Sequence, residues 1–123
     1  MLFRSETAGW VTTSGSLSLE DYVPARDAFI VQRLRDAGAL ILAKTNLHEF
    51  AIWGESVSSV LGQAVNPYDL TRTPGGSSGG TGAGIAADFA AAGIGTDTIN
   101  SIRSPASACS CVGLRPTLGL VRC

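Results

Sequence analysis

Glycine is concentrated in one stretch of this chain, and that stretch most limits how the chain can fold. Eight of the 15 glycines lie between residues 75 and 95. Glycine reaches backbone conformations that other residues avoid, and it lets two chain segments approach closely. Beyond Gly80, small residues such as Ala83, Ala87 and Ala90 follow at helical spacing, which favours close packing of a helix. The sequence therefore predicts a tight loop from Pro74 that leads into a buried helix.

Three familiar kinds of glycine-rich site fit this stretch poorly. A phosphate-binding P-loop closes with Gly-Lys-Ser/Thr, but residues 79–81 are Gly-Gly-Thr. Residues 82–87 have the spacing of a dinucleotide fingerprint, but no strand precedes them. Residues 75–79 have the spacing of a hydrolase nucleophile elbow, which needs a strand before the serine and a histidine after it. His48, the single histidine, lies upstream, so we expect it at the surface or beside a site rather than as a base.

Composition argues against several partners and locations. Nine basic and ten acidic residues give a formal net charge of −1, which offers no electrostatic footprint for nucleic acid. No apolar stretch reaches the ~20 residues that span a bilayer, and residues 1–15 lack the apolar segment of a signal peptide. The three cysteines are an odd number near the end of the chain, which favours free thiols over a disulfide framework or a zinc site: Cys109, Cys111 and Cys123. We therefore expect a cytoplasmic protein without a metal, a membrane segment or direct nucleic-acid contacts.

Helical and extended patterns alternate along the chain. Apolar residues recur at three- and four-residue spacing after Pro24 and predict a helix that ends at Gly38. The apolar run Ala39–Ala43 predicts a buried strand, with Lys44 at the end where α/β sheets bind ligands. Further along we expect a short helix, a turn, a second short strand, a longer turn and an extended piece, over residues 47–51, 66–69, 92–96, 97–105 and 112–117. This alternation is typical of an α/β protein.

Two serine clusters are separated by a predicted helix and strand. Ser101 follows Ser77 by 24 residues, and the intervening elements could return the chain toward its starting point. The serine-rich residues 75–117, the lysine-bearing residues 38–46 and the turn at residues 12–16 together resemble the amidase signature family. The likeness runs from about Thr7 to Val121. It implies the family's fold, an α/β structure in which α-helices flank a mixed β-sheet core.

The resemblance implies a catalytic triad made of a serine nucleophile, a bridging serine and a lysine base, matched here by Ser101, Ser77 and Lys44. The residue types suit this chemistry, because a serine hydroxyl needs a nearby base and burial disfavours the charged form of a lysine. Ser77 would relay the proton, since a hydroxyl both donates and accepts hydrogen bonds. In the family the peptide bond before the bridging serine, here Gly76-Ser77, is cis.

The resemblance also assigns roles to residues near the nucleophile. The developing oxyanion would be held by three consecutive backbone amides, those of Thr98, Ile99 and Asn100. Many relatives have Gly-Gly where this chain has Ile99-Asn100, so the turn cannot rely here on glycine's conformational freedom. Ser78 would either add a hydrogen bond or cap the following helix. Asp97 and Arg103 are expected to support the turn.

These assignments imply an amidase that hydrolyses the C–N bond of a small-molecule carboxamide through an acyl-enzyme, with no metal or organic cofactor. Two alternatives stay open. One is an A-type subunit of a glutamyl-tRNA amidotransferase, which would use the same triad to release ammonia from glutamine and would need partner subunits. The other is a remnant without catalysis of its own. Because the family domain is several times longer, residues 1–123 are expected to form a partial amidase domain that continues beyond both ends and is inactive or unstable alone. The sequence predicts neither the substrate nor the oligomeric state.

Overall fold

The computed structural model describes residues 4–121, in which short elements are joined by long irregular segments. Its helices are α1 (Phe29–Asp36), α2 (Gly79–Ala86) and α3 (Arg103–Ala108), and its strands are β1 (Val57–Ser58) and β2 (Gly62–Gln63). Single-turn 3₁₀ helices cover Leu17–Leu19 and Glu49–Ala51. Over the described residues the structure is mixed α/β, which agrees with the predicted fold class.

Helix α1 confirms the predicted amphipathic helix, although it begins at Phe29 rather than just after Pro24. Its apolar face is anchored by Val31, which is fully buried. The helix ends where predicted, because Gly38 adopts a positive φ of 82° that closes the last turn. The helix therefore leads directly into the apolar run before Lys44.

That apolar run is not the buried strand that its composition predicts. Leu40 is 84% exposed, and within residues 4–121 the segment 39–43 joins no sheet. The second predicted strand, Ala92–Thr96, is wrong for the same reason, and residues 112–117 also form no regular strand. A strand forms only where a neighbouring backbone pairs with it. Among the described residues only β1 and β2 do so, as an antiparallel pair with Val57 opposite Gln63.

The glycine-rich region folds as predicted at its start, since helix α2 begins at Gly79 directly after the loop, but the helix ends at Ala86, before Ala87 and Ala90. Helix α3 packs against it, with Pro105 beside Gly82. The prediction of a turn over residues 97–105 is wrong from Arg103 onward, where α3 begins. Proline suits this position, because the first turn of a helix has no internal partner for a backbone N–H.

Two smaller predictions hold. The turn at Asn66–Asp69 closes through hydrogen bonds from Tyr68 N to Asn66 Oδ1 and from Asp69 N to Asn66 O, at 2.9 and 3.2 Å. The short helix predicted over residues 47–51 is a single 3₁₀ turn, in which Phe50 has a positive φ of 52°.

The best-buried side chains surround the loop between Pro74 and Ser78 rather than a large apolar core. Five of the fully buried residues lie in this loop or pack against it: Pro74, Ser77, Ser56, Pro105 and Cys109. Small polar groups in such a place need hydrogen-bond partners. The most rigidly enclosed part of the described structure is therefore the part that carries the predicted serines.

Candidate active site

The loop that carries Ser77 is held in place by Ser56, just before β1. The Ser56 hydroxyl donates to Gly75 O at 2.8 Å and lies 3.2 Å from Ser77 O, while Gly79 N donates to it at 2.9 Å. The Gly76-Ser77 peptide bond is cis, as predicted, and Gly75 has a positive φ of 75°. One buried serine thus joins both ends of the loop. Sequence reasoning missed Ser56, because it lies within an unpatterned polar segment.

Ser77 is fully buried, and its hydroxyl has no hydrogen-bond partner within residues 4–121. Its carbonyl, by contrast, accepts a hydrogen bond from His48 N at 3.1 Å. An unsatisfied buried hydroxyl costs roughly 1–3 kcal/mol, so such groups are rare and usually have a function that explains them. The backbone of Ser77 is fixed, while its side chain remains available for another group.

Ser101 lies next to this loop. Ser78 N donates a hydrogen bond to Ser101 O at 3.2 Å, which joins the two predicted serine clusters. Ser101 is half-buried at the wall of a groove of about 460 Å³, and Gly76 forms another part of the same wall. The rest of the lining comes from Ser104 and residues 51–55 and 98–100. An incoming molecule in this groove would meet both Ser101 and the serine loop.

The turn before Ser101 is supported by Asp97. The Asp97 carboxylate accepts hydrogen bonds from the backbone N–H groups of Ile102 and Arg103, at 3.0 and 3.2 Å, and from the Arg103 side chain at 3.1 Å. Arg115 adds a hydrogen bond to Asp97 O at 3.1 Å, a contact that the sequence did not single out. Burial alone would raise the pKa of Asp97, but the hydrogen bonds centred on Arg103 outweigh it and hold that pKa below its ordinary value.

The turn that is predicted to hold the oxyanion does not need glycine, because neither Ile99 nor Asn100 adopts a positive φ. Ile99 is 84% exposed, so its side chain meets no steric obstacle in the described structure. The backbone amides of Thr98, Ile99 and Asn100 donate no hydrogen bond to any other residue in the range 4–121. These three amides remain available as donors at the groove.

Ser78 occupies the N-cap position of helix α2, where its carbonyl accepts from Thr81 N and Gly82 N at 3.1 Å. Its side chain makes no capping hydrogen bond; instead, the Ser78 hydroxyl accepts from Thr96 N at 3.3 Å and lies 3.4 Å from Thr96 O. These contacts attach the serine loop to the segment that leads into the Asp97 turn.

Lys44, the predicted base, is not joined to Ser77 by any hydrogen bond within residues 4–121. Its amine donates to Ser5 O at 2.6 Å and to Thr12 Oγ1 at 2.5 Å. The segment that follows Lys44 does pack on the serine loop, since His48 N bonds Ser77 O. Burial lowers the pKa of the Lys44 amine to about 8, although the Glu6 carboxylate opposes this shift. The amine therefore loses its proton more easily than an ordinary lysine.

Of the described residues, His48, Cys109 and Cys111 do not line the groove beside Ser101. His48 Nδ1 accepts a weak hydrogen bond from Val57 N at 3.4 Å. Burial, and secondarily Cys111, raises the pKa of the Cys109 thiol to about 11, so this thiol is not a nucleophile at neutral pH. Cys109 and Cys111 are free, while Cys123 lies outside the described residues.

Among residues 4–121 no group of three His, Cys, Asp or Glu side chains is placed to hold a metal ion. No helix in that range is long and apolar enough to cross a membrane.

A buried serine loop, joined to a second serine at the wall of a groove, defines an α/β protein of the amidase signature class. The chain belongs to the Amidase family, whose family model matches residues 4–123. It is similar to the A subunit of glutamyl-tRNA(Gln) amidotransferase from Nitratidesulfovibrio vulgaris strain DP4, with 56% identity over 94% of this chain and 24% of the relative.

Two solved structures place the fold among the same enzymes. The glutamyl-tRNA(Gln) amidotransferase A subunit of Thermotoga maritima matches with a TM-score of 0.84 and 40% identity, over 88% of this chain and 24% of that one. The native peptide amidase of Stenotrophomonas maltophilia matches with a TM-score of 0.79 and 42% identity, over 85% of this chain and 23% of that one. The chain thus spans about a quarter of the length of the proteins that it resembles.

Proposed function

We propose that this chain forms the serine-bearing portion of an amidase that hydrolyses a carboxamide C–N bond, with Ser101 as nucleophile, Ser77 as bridging serine and Lys44 as base. The observation that carries the proposal is the Ser77 hydroxyl, which is fully buried beside the Ser101 segment and has no partner among the described residues. A hydroxyl left open in this way is suited to pass a proton between two other groups.

The chemistry proceeds through an acyl-enzyme. Ser101 Oγ attacks the amide carbonyl carbon and its proton passes to Ser77, while the Ser77 proton moves on to Lys44. The amides of Thr98, Ile99 and Asn100 stabilise the negative charge on the carbonyl oxygen. The C–N bond then breaks, the relay returns a proton to the leaving amine or ammonia, and water releases the acid by the same steps in reverse. The proposal requires no metal or organic cofactor.

The base has two fixed acceptors in the structure. The Lys44 amine donates to Ser5 O at 2.6 Å and to Thr12 Oγ1 at 2.5 Å. Its lowered pKa supports the role, because only a neutral amine can accept a proton. A neutral amine also has two N–H donors and one lone pair, so the contacts with both acceptors leave the lone pair available.

Covalent labelling of residues 1–123 with a fluorophosphonate tests the nucleophile. Ser101 attack forms a P–O bond and expels fluoride, so we expect one labelled site that disappears in Ser101→Ala. Ser104→Ala is the matched control, since Ser104 lines the same groove. His48→Ala should retain labelling and Lys44→Met should lose it. The proposed nucleophile is wrong if Ser104→Ala rather than Ser101→Ala abolishes the label.

A second measurement isolates the base. Lys44 is the single lysine of the sequence, so a chain labelled with ¹³C at lysine Cε gives one side-chain resonance. If Lys44 exchanges protons with Ser77, Ser77→Ala changes the titration midpoint of this resonance. An unchanged midpoint together with retained labelling in Lys44→Met rejects Lys44 as base and leaves the two serine assignments standing.

A second candidate is an A-type amidotransferase subunit, which would release ammonia from glutamine and work with partner subunits. It is favoured by the relatives at 50 to 56% identity that are named as the A subunit of glutamyl-tRNA(Gln) amidotransferase. Ammonia release from glutamine, compared with release from a simple aliphatic amide, separates the two candidates. Residues 1–123 would then be a partial domain of a cytoplasmic enzyme. If the chain neither folds nor labels while a longer protein containing it does, the remnant alternative holds for the chain alone.

A further inference from the structure

Three consecutive carbonyl groups around the predicted nucleophile have fixed partners: those of Ile99, Asn100 and Ser101. Arg103 donates from Nη2 to Ile99 O, Ser104 N donates to Asn100 O at 2.9 Å, and Ser78 N donates to Ser101 O at 3.2 Å. The amides between them are not engaged, since Asn100 N and Ser101 N donate no hydrogen bond to a described residue. From Ile99 to Ser101 the carbonyl acceptors are therefore occupied, while the Asn100 and Ser101 amide donors are open.

The geometry of the Ile99-Asn100 peptide group determines where the Asn100 N–H points. In a trans peptide the C=O of one residue and the N–H of the next point to opposite sides. The Ile99-Asn100 bond is trans, because the cis bond of the described chain is Gly76-Ser77. When Arg103 holds Ile99 O on one side, the Asn100 N–H must point to the other. Arg103 is absent from the groove lining, whereas residues 98–101 form part of it.

The arginine is itself fixed in two directions. Its Nε and Nη2 both bond the Asp97 carboxylate at 3.1 Å, and that carboxylate is only 1% exposed. This two-point contact holds the guanidinium plane in one orientation, which a single-point ammonium cannot reproduce. Arg115 bonds Asp97 O from a third segment at 3.1 Å.

We infer that Arg103 is a positioning residue for acyl transfer: by holding Ile99 O it aims the Asn100 amide into the groove as an oxyanion donor. This role is distinct from supporting the turn, because it acts on the orientation of one peptide group. It also accounts for a turn without glycine, because the contact with Arg103 fixes the orientation of the Ile99-Asn100 peptide group. The expected effect on the reaction rate rests on the proposed acyl transfer at Ser101. The expected effect on the orientation of the Ile99-Asn100 peptide group does not.

The peptide group can be observed directly. Ile99-Asn100 is the single Ile-Asn pair in the sequence, so a chain labelled with ¹³C at isoleucine carbonyls and ¹⁵N at asparagine gives one carbonyl–amide cross-peak. Arg103→Gln should move this cross-peak, and Arg103→Lys should move it less. Arg72→Gln is the matched control, because Arg72 pairs with Asp69 at the surface. We expect Arg72→Gln to leave the cross-peak in place.

Labelling kinetics with a fluorophosphonate supply the catalytic readout. Loss of one oxyanion donor slows related reactions by about 10²–10³, so misorienting one amide in Arg103→Gln should lower the maximal labelling rate about tenfold to a hundredfold. The reagent concentration at half-maximal rate should change little, because the groove lining remains. Arg103→Lys should recover part of the rate, and Arg72→Gln should react like the unaltered chain.

The outcomes separate the two proposals. If the unaltered chain folds but never labels at Ser101, the proposed function fails, while the cross-peak still decides whether Arg103 orients the peptide. If the chain labels but folded Arg103→Gln keeps both the cross-peak and the rate, the role of Arg103 is refuted. If circular dichroism shows that Arg103→Gln does not fold, Arg103→Lys is the deciding variant. The inference is overturned if Arg103→Lys has the same cross-peak position and the same labelling rate as the unaltered chain.

Discussion

Lys44 allows a quantitative test of how this structure changes the chemistry of one side chain. Its half-buried position lowers the pKa of the amine to about 8 from an ordinary value of 10.5. At pH 7 about one tenth of the Lys44 amines would then be neutral, compared with about three in ten thousand for an ordinary lysine. Labelling that depends on this base should accordingly rise with pH through about 8 and level off above it.

The perturbation is Thr12→Val, which removes one of the two acceptors of the Lys44 amine and conserves the side-chain shape. A hydrogen bond stabilises an ammonium roughly 1 kcal/mol more than a neutral amine. At 1.36 kcal/mol per pH unit this difference corresponds to about 0.7 unit. Solvent screening at a half-exposed site reduces it by about half, so the pKa of Lys44 should fall by a further ~0.4 unit. Thr12→Ser, which restores the hydroxyl, should return the pKa toward about 8.

The assay is the pH titration of the single lysine Cε resonance, with Thr81→Val as the control for removing a buried threonine hydroxyl elsewhere. Thr81 bonds Thr45 Oγ1 at 2.8 Å and is not bonded to Lys44. The reasoning is refuted if the unaltered chain titrates near 10.5, or if Thr12→Val raises the midpoint.

Three stability predictions follow from the same contacts. Asp97→Asn should lower the free energy of unfolding by about 1–3 kcal/mol at pH 7, since Arg103 and Arg115 lose a charged acceptor but remain about half exposed to solvent. Because the pKa of Asp97 is lowered, the contribution of the native carboxylate is present above pH 4 and lost on acidification, which urea unfolding at pH 7 and pH 3 checks. Gly79→Ala should cost about 1–3 kcal/mol by overpacking, as its Cβ would lie against Ser56 and 2.8 Å from Pro74, whereas Gly54→Ala meets no atom within 4 Å and should be near neutral in thermal unfolding. Ser56→Ala should cost about 1–3 kcal/mol because Gly79 N loses its acceptor, and an equal effect of an alanine at an exposed serine would contradict this.

Local patterns predicted helix α1 and the glycine loop at the start of α2, but they missed α3. Helix α1 and the glycine loop before α2 depend on apolar spacing and on glycine within a few residues, so the sequence contains the information that forms them. The two strand predictions failed because a strand depends on a partner from another segment, and Leu40 is exposed in an unpaired stretch. Within residues 4–121 neither predicted strand joins a sheet, and the sequence of one segment does not specify which other segment will pair with it.

By itself the sequence determined the chemistry that is available: two serines 24 residues apart, a single lysine, and a turn with Ile99-Asn100 before Ser101. Only the tertiary structure decided which groups meet. It joined Ser78 to Ser101, left the Ser77 hydroxyl without a partner within residues 4–121, and held the Lys44 amine at Ser5 and Thr12. Hydrogen bonds between residues distant in sequence depend on side-chain direction and on burial, and both are set when separate segments pack against one another.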